Sequence, residues 1–231
     1  MTAGRLVLWR HGRTAYNASA RLQGQVDIPL DEIGRWQVRV AATTMLAAHT
    51  PTRIVSSDLG RASATARALA QAADLDVELD PRLKERGFGE WEGLTGAEIR
   101  ERWPQDHALW VGGGEPERVG AETRAAVATR VVEAIEEHAA SLERADTLVV
   151  VSHGAAIGSA VAGLLGMPAD WRGIAGMHNA FWAELVPSSP GVQPGWRLVG
   201  YNLGPVGASS DWNAGPDHPS DELDAETRDP D

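Results

Sequence analysis

The chain has 231 residues, of which 43% are hydrophobic and 23% charged, with a formal net charge of −11 and no cysteine. At this length about 70% of the surface exposed by the unfolded chain can be buried, so one core suffices without staples. The missing cysteines exclude disulfides, thiolate metal sites and cysteine nucleophiles, and the negative charge excludes a general nucleic-acid binder, whose affinity rests on a cationic surface.

Met1 to Arg5 lead into the first apolar run without the h-region of a secretory signal. No apolar stretch is long enough to span a bilayer, so a cytoplasmic protein with no membrane partner is expected. Leu6 to Trp9 reads as a buried strand, and it stops at Arg10-His11-Gly12. Ligands of open α/β sheets gather beyond the carboxyl ends of the strands. The triplet therefore sets a cation, an imidazole and a permissive backbone where an attack on phosphorus could be made. Taken alone it fits a turn histidine beside a surface arginine equally well.

Leu30-Asp31-Glu32 opens a helix through Ala48, with Ile33, Trp36, Val40, Thr44 and Ala47 recurring near helical spacing. Arg53 to Ser56 is a second strand. An alanine-rich helix from Leu59 to Ala73 follows, with Ser57 or Asp58 as its cap and Arg61 in its opening turn. There the guanidinium and the positive end of the helix dipole point at one rim. Val77 to Leu79 is a short strand ended by Asp80-Pro81. The next segment, Leu83 to Gly93, carries Glu85, Glu90 and Glu92, each a candidate for the acid that protonates a departing alkoxide.

Thr95 with Glu98 forms a capping box for a helix to Trp103, and residues 104–120 read as a glycine- and proline-punctuated loop. Ala121 to Leu142 is the longest helix. Thr147 to Val151 is a fully apolar strand of the kind buried on both faces, and Ser152-His153-Gly154 again sets a histidine and a glycine at a strand end. A small-residue helix runs to Leu165, and two strands, Ala180 to Val186 and Trp196 to Tyr201, close the pattern. The alternation predicts a three-layer α/β/α domain with a mostly parallel central sheet over residues 1–204. From Pro205 to Asp231 eight acidic residues face one arginine, a local balance of −7 that leaves −4 of the total −11 for the body. With four prolines and few large apolar residues, this acidic tail is expected to stay solvated and disordered, with docking through Trp212 as the less favoured alternative.

His11 and His153 from separate strands, with Arg10 and Arg61 on the same rim, make a compact pocket for a dianion. A divalent ion held by His11, His153 and Glu85 is the competing arrangement, disfavoured because the two arginines would repel it. The set Arg10-His11-Gly12, Ser57-Asp58-x-x-Arg61-Ala62, Leu83-x-Glu85 with Gly89-x-Trp91-Glu92-Gly93, and Ser152-His153-Gly154 resembles the histidine phosphatase superfamily, the phosphoglycerate-mutase-like proteins, over about residues 5–202.

The resemblance implies a phosphomonoester hydrolase in which His11 forms a phosphohistidine. Arg10, Arg61 and His153 would clamp the phosphoryl oxygens, and Glu85 would serve as general acid and then as base. It also implies that Asn17, Gln23 and the Gly24 backbone contact phosphate or substrate, with Arg13 as a further contact, and that neither metal nor organic cofactor is needed. The partner is a small phosphate ester; the resemblance leaves room for a homodimer.

The family's mutases carry extra cationic contacts in an insertion between the acid and the second histidine. Here that stretch is short and of mixed charge, which favours hydrolysis, although Glu85-Arg86 echoes the mutase pattern. Mutase-type phosphoryl transfer and a non-catalytic phospho-ligand-binding relative are the alternatives. Leu164-Leu165-Gly166-Met167-Pro168, Trp171, Gly176-Met177-His178-Asn179-Ala180 and Trp196-Arg197-Leu198 are similar to the glucosyl-3-phosphoglycerate phosphatases, which implies a sugar phosphate or phosphoglycerate ester as substrate. Trp91, Trp103 and Trp110 are candidate stacking faces for a sugar, and Arg118 or Arg13 a candidate partner for a carboxylate.

Overall fold

A computed structural model describes residues 2–205 and 212–214. In chain order its elements are β1 (Arg5–Arg10), α1 (Ala15–Ala18), α2 (Glu32–Ala48), β2 (Arg53–Ser56), α3 (Gly60–Ala73), β3 (Val77–Leu79), α4 (Gly96–Arg102), α5 (Pro104–Val111), α6 (Arg124–Ala140), β4 (Thr147–Ser152), α7 (Gly154–Leu164), β5 (Trp182–Pro187) and β6 (Trp196–Leu203). The six strands form one sheet in the order β3-β2-β4-β1-β5-β6. The first four are mutually parallel, and β5 and β6 run antiparallel at one edge.

Alternation along the central strands produces the layers, because successive side chains of a strand point to opposite faces. Leu6, Leu8, Leu148 and Val150 face a core completed by Val127, Val131 and Ile135 of α6 and by Ile157, Ala160 and Val161 of α7. Val7, Trp9, Val149 and Val151 face the other core, completed by Val38 and Met45 of α2 and by Ala66 and Leu69 of α3. Each large side chain taken fully from water contributes about 1.5–3 kcal/mol, so the two strands bearing the histidines are also the most firmly held. The expected three-layer α/β/α architecture with a mostly parallel sheet is the architecture found.

Three local expectations are corrected. Residues 104–111 are helical, not loop: Pro104 stands at the first helical position, where its missing N–H leaves no bond unmade, and the chain turns out of the helix only at Gly112. Neither Ser57 nor Asp58 caps α3. Its N-cap is Leu59, and the Gly60 N–H donates to the Asp27 carboxylate at 2.8 Å. Within the stretch expected to be solvated tail, Trp212 is packed in the core between Trp36 and Phe181, donates its indole N–H to the Asn179 carbonyl at 2.8 Å and accepts from the Gln37 amide at 2.9 Å. One large indole with its N–H paired, on a residue whose backbone carbonyl is paired as well, outweighs the ordering entropy of three residues; the rest of 206–231 lies outside the described residues. Among the described residues no helix is long and apolar enough to cross a membrane.

Candidate active site

Strand register sets the site. β1 and β4 run in parallel with Arg10 opposite Ser152, so the next residues, His11 and His153, emerge side by side with ring centroids 5.1 Å apart. β2 pairs Ser56 with Val151, which brings Ser57 beside His153. Glu85 reaches the same rim from the loop that follows β3. The carboxyl edge of the parallel strands thus supplies every group at the centre of the pocket.

His11 is 2% exposed, and its Nδ1 lies 2.7 Å from the Gly12 carbonyl. Facing a carbonyl, Nδ1 must carry the proton, which leaves Nε2 with a free lone pair. Burial first, then the Arg61 and Arg10 guanidiniums, hold the imidazole well below its ordinary pKa, so it is neutral at pH 7. The backbone behind it is pinned: the His11 carbonyl accepts from the Ala180 N–H at 3.1 Å and from the Asn179 amide at 3.2 Å, and the Gly12 N–H donates to Thr65 Oγ1 at 3.2 Å.

Arg61 is fully buried in the first turn of α3. Its guanidinium donates to the Gly24 and Val26 carbonyls at 2.7 and 2.8 Å and through Nε to His153 Nδ1 at 3.2 Å. His153 Nε2 in turn donates to Ser57 Oγ at 2.9 Å. Both His153 nitrogens are therefore engaged inside the protein, and burial, Arg61 and His11 push the ring well below its ordinary pKa. The ring thus holds Arg61 in place from the side of Ser57, next to the phosphoryl pocket. Arg10 crosses above Gly154, with its guanidinium carbon 3.5 Å from where a Cβ would stand, and donates to the Met177 carbonyl. Burial lowers the pKa of both arginines, an effect opposed by the Glu85 carboxylate.

Glu85 fills the place of a helix cap. Its two oxygens accept from the Ala155 and Ala156 N–H groups of α7 at 3.1 and 2.9 Å and from the Arg86 N–H at 2.8 Å. Satisfying free amides at a helix N-terminus fixes a carboxylate more firmly than a surface position could. Of the other two candidates, Glu92 is spent on the Phe88 and Gln25 N–H groups and Glu90 is exposed.

Asn17 and Gln23 both line the pocket, a cavity of about 220 Å³. Asn17 Oδ1 is taken by the Thr14 backbone and by Asn179, and Gln23 Oε1 by the Thr14 hydroxyl, so each is left with its NH₂ to offer. Gly24 adopts φ +53°, and an added Cβ there would overlap the Glu92 carboxylate at 2.1 Å. Arg13 is not brought to the pocket: it pairs with Asp31 at 2.8 Å and donates to the Asn213 carbonyl. Arg118 is an exposed partner of Asp106 and Gln105, and Trp91 is fully buried against Trp110, so neither expectation for these side chains is met. Arg21 and Phe88 line the pocket, and Asn179 and Ser57 support it; reading the sequence did not mark them for these places. Among the described residues no group of three His, Asp or Glu side chains is placed to hold a metal ion.

The sequence profile of the histidine phosphatase superfamily (branch 1) matches residues 6–202. The chain belongs to this superfamily. It is 40% identical over 215 residues to the glucosyl-3-phosphoglycerate phosphatase of Mycobacterium tuberculosis, covering 87% of this chain and 96% of that protein. A solved structure of a mycobacterial glucosyl-3-phosphoglycerate phosphatase with VO₃ superposes with a TM-score of 0.77 at 40% identity, over 86% of this chain and 98% of the other. The phosphoserine phosphatase of Entamoeba histolytica in complex with 3-phosphoglyceric acid superposes with a TM-score of 0.72 at 27% identity, over 86% and 96% of the two chains. This histidine phosphatase is accordingly a hydrolase of small phosphomonoesters.

Proposed function

We propose that the phosphatase hydrolyses a phosphoglycerate ester, glucosyl-3-phosphoglycerate in particular, through a phosphohistidine on His11. The observation that carries the chemistry is the tautomer of His11: with Nδ1–H bound to the Gly12 carbonyl, the Nε2 lone pair faces a pocket walled by Arg10 and Arg61. In the first step Nε2 bonds to phosphorus and the ester oxygen leaves with a proton from Glu85. In the second, Glu85 takes a proton from water, whose oxygen displaces His11 and releases inorganic phosphate.

Arg10, Arg61 and the side-chain amides of Asn17 and Gln23 are fixed donors for the charge on the transferring group, so no solvent need reorient at the transition state. Each charge-assisted hydrogen bond is worth roughly 1.5–3 kcal/mol. The likeness to the mycobacterial enzymes supports the choice of substrate.

Brief incubation with ³²P-labelled substrate followed by denaturation in base should trap acid-labile label on wild-type protein, and His11→Ala should trap none and lose at least 10³-fold in rate. Label in the His11→Ala protein would overturn the assignment. Glu85→Gln should cost 10²–10⁴-fold, less for p-nitrophenyl phosphate, whose leaving group needs little protonation. A chelator should change neither rate. Ranking kcat/KM over phosphorylated sugars and glycerates tests the substrate, and a flat profile would overturn that part alone.

A further inference from the structure

A second cavity of about 180 Å³ lies on the far side of the turn that opens α7, and it shares Gly154, Ala155 and Gly176 with the phosphoryl pocket as a common wall. Arg86, Arg124 and Arg172 reach it from three separate segments, with Trp171 and Tyr201 as its aromatic walls. Their charges are poorly balanced. Glu115 alone serves two of them, at 2.5 Å from Arg86 and 3.3 Å from Arg124. Glu122 is committed to Arg130 at 2.8 Å and to the Gly87 N–H at 2.7 Å. Among the described residues Arg172 has only carbonyl partners, those of Trp171, Gly113 and Ala169 at 2.9, 3.1 and 3.3 Å.

Arg86 is buried, held by Glu115 and the Glu122 carbonyl and laid over the Phe88 ring, so it acts as a fixed wall. Arg124 and Arg172 keep donors to spare. Burial above all lowers the Arg124 pKa, the Glu115 carboxylate opposes it, and the neighbouring Arg172 and Arg86 add to it.

The position of Glu85 fixes what can enter. Glu85 lines the phosphoryl pocket, and one of its oxygens accepts from the N–H of Ala155, a residue of the wall that the two cavities share, so an alcohol that takes its proton departs beside that wall with the second cavity next to it. We propose that this cavity is the leaving-group subsite, and that Arg124 and Arg172 bind a carboxylate borne on the carbon next to the ester-bearing carbon. The proposal deepens the phosphoglycerate reading above and rests on it for the direction in which the alcohol departs. Arg13 and Arg118, the arginines that sequence reasoning offered to a carboxylate, are spent elsewhere.

Calorimetric titration of the His11→Ala protein, which cannot turn its ligands over, with 3-phosphoglycerate, glycerol 3-phosphate and inorganic phosphate tests the subsite. The first two have the same carbon chain and differ in a carboxylate against a hydroxymethyl group. The dissociation constant for 3-phosphoglycerate should be at least tenfold the lower. Adding Arg172→Gln should bring the two constants within threefold by weakening 3-phosphoglycerate alone, and Arg124→Gln should act alike. Equal affinities in the parent, equal weakening of both ligands, or no binding of any of the three would overturn the proposal. Arg172 is exposed and, among the described residues, bonded only to carbonyls, so its variant decides the matter even if the Arg124 variant does not fold. A surviving carboxylate preference with no turnover of glucosyl-3-phosphoglycerate would remove the sugar ester and leave the subsite. Good turnover without the preference would remove the subsite alone.

Discussion

Gly12 has no room for a side chain: a Cβ would stand 2.6 Å from the Gly34 carbonyl oxygen and 2.7 Å from a Val38 methyl, both part of α2 packed against β1. Its N–H is bound to Thr65 and its carbonyl holds the His11 ring, so the backbone cannot yield without turning the nucleophile. Gly12→Ala should therefore lower kcat/KM at least tenfold and cost about 1–3 kcal/mol of stability, measured by urea unfolding. Wild-type activity in a folded Gly12→Ala protein would contradict this account. Residues of this kind were legible in sequence because each stands at the end of an apolar run that announces a strand. The place of Arg13 beside Asp31 is not legible, because a charged residue two places past the nucleophile carries no mark of the direction in which its strand exit turns. His153 is legible at its strand end, whereas the use of both its ring nitrogens by Arg61 and Ser57 depends on the register of β2 against β4, which no local motif encodes.

At the level of elements, the site is made by ends. α7 leaves its first amides to Glu85, and α3 offers Arg61 from its first turn, so shortening either helix at its start would disturb the chemistry more than changes along its length. The strands and long helices were readable from apolar spacing, whereas α5 was hidden by the glycines that follow it and by a proline that starts it. The segment Trp212–Ala214 was hidden for a different reason. Its surroundings are acidic and proline-rich, and a single aromatic residue shifts no average. Trp212 nevertheless braces the Asn179 carbonyl, while the Asn179 side chain braces the His11 carbonyl and Asn17. Trp212→Ala should cost about 3 kcal/mol, seen as a lower urea midpoint with a raised KM, and an unchanged midpoint would show that the indole adds nothing.

The whole molecule should respond to pH through His11 and His153, the two buried histidines beside Arg61. Above pH 6.5 neither the folded nor the unfolded chain protonates them, and they leave stability unchanged. Below it the unfolded chain takes up protons that His11 and His153, held well under 6.5, refuse, so stability falls as pH falls. The slope approaches about 1.4 kcal/mol per pH unit for each ring. Asp80 enters lower: burial works to raise its pKa, but hydrogen bonds from Arg82 prevail and lower it to about 2, so its contribution is lost only in stronger acid. Urea midpoints taken between pH 7.5 and 5.5 should therefore drop, and His11→Ala should drop about half as far; a flat profile in the wild type would refute the neutral pair.

The sheet also joins distant parts of the chain: β1 lies between β4 and β5, and the wall behind His11 is closed by Asn179 and Trp212. Contacts of such long separation close late. At a synthesis rate of 5–20 residues per second, roughly 10–40 s pass between the making of His11 and the making of Trp212. For all of that time the nascent chain carries its nucleophile without the Asn179–Trp212 wall behind it, and the site is complete only once Trp212 has been made.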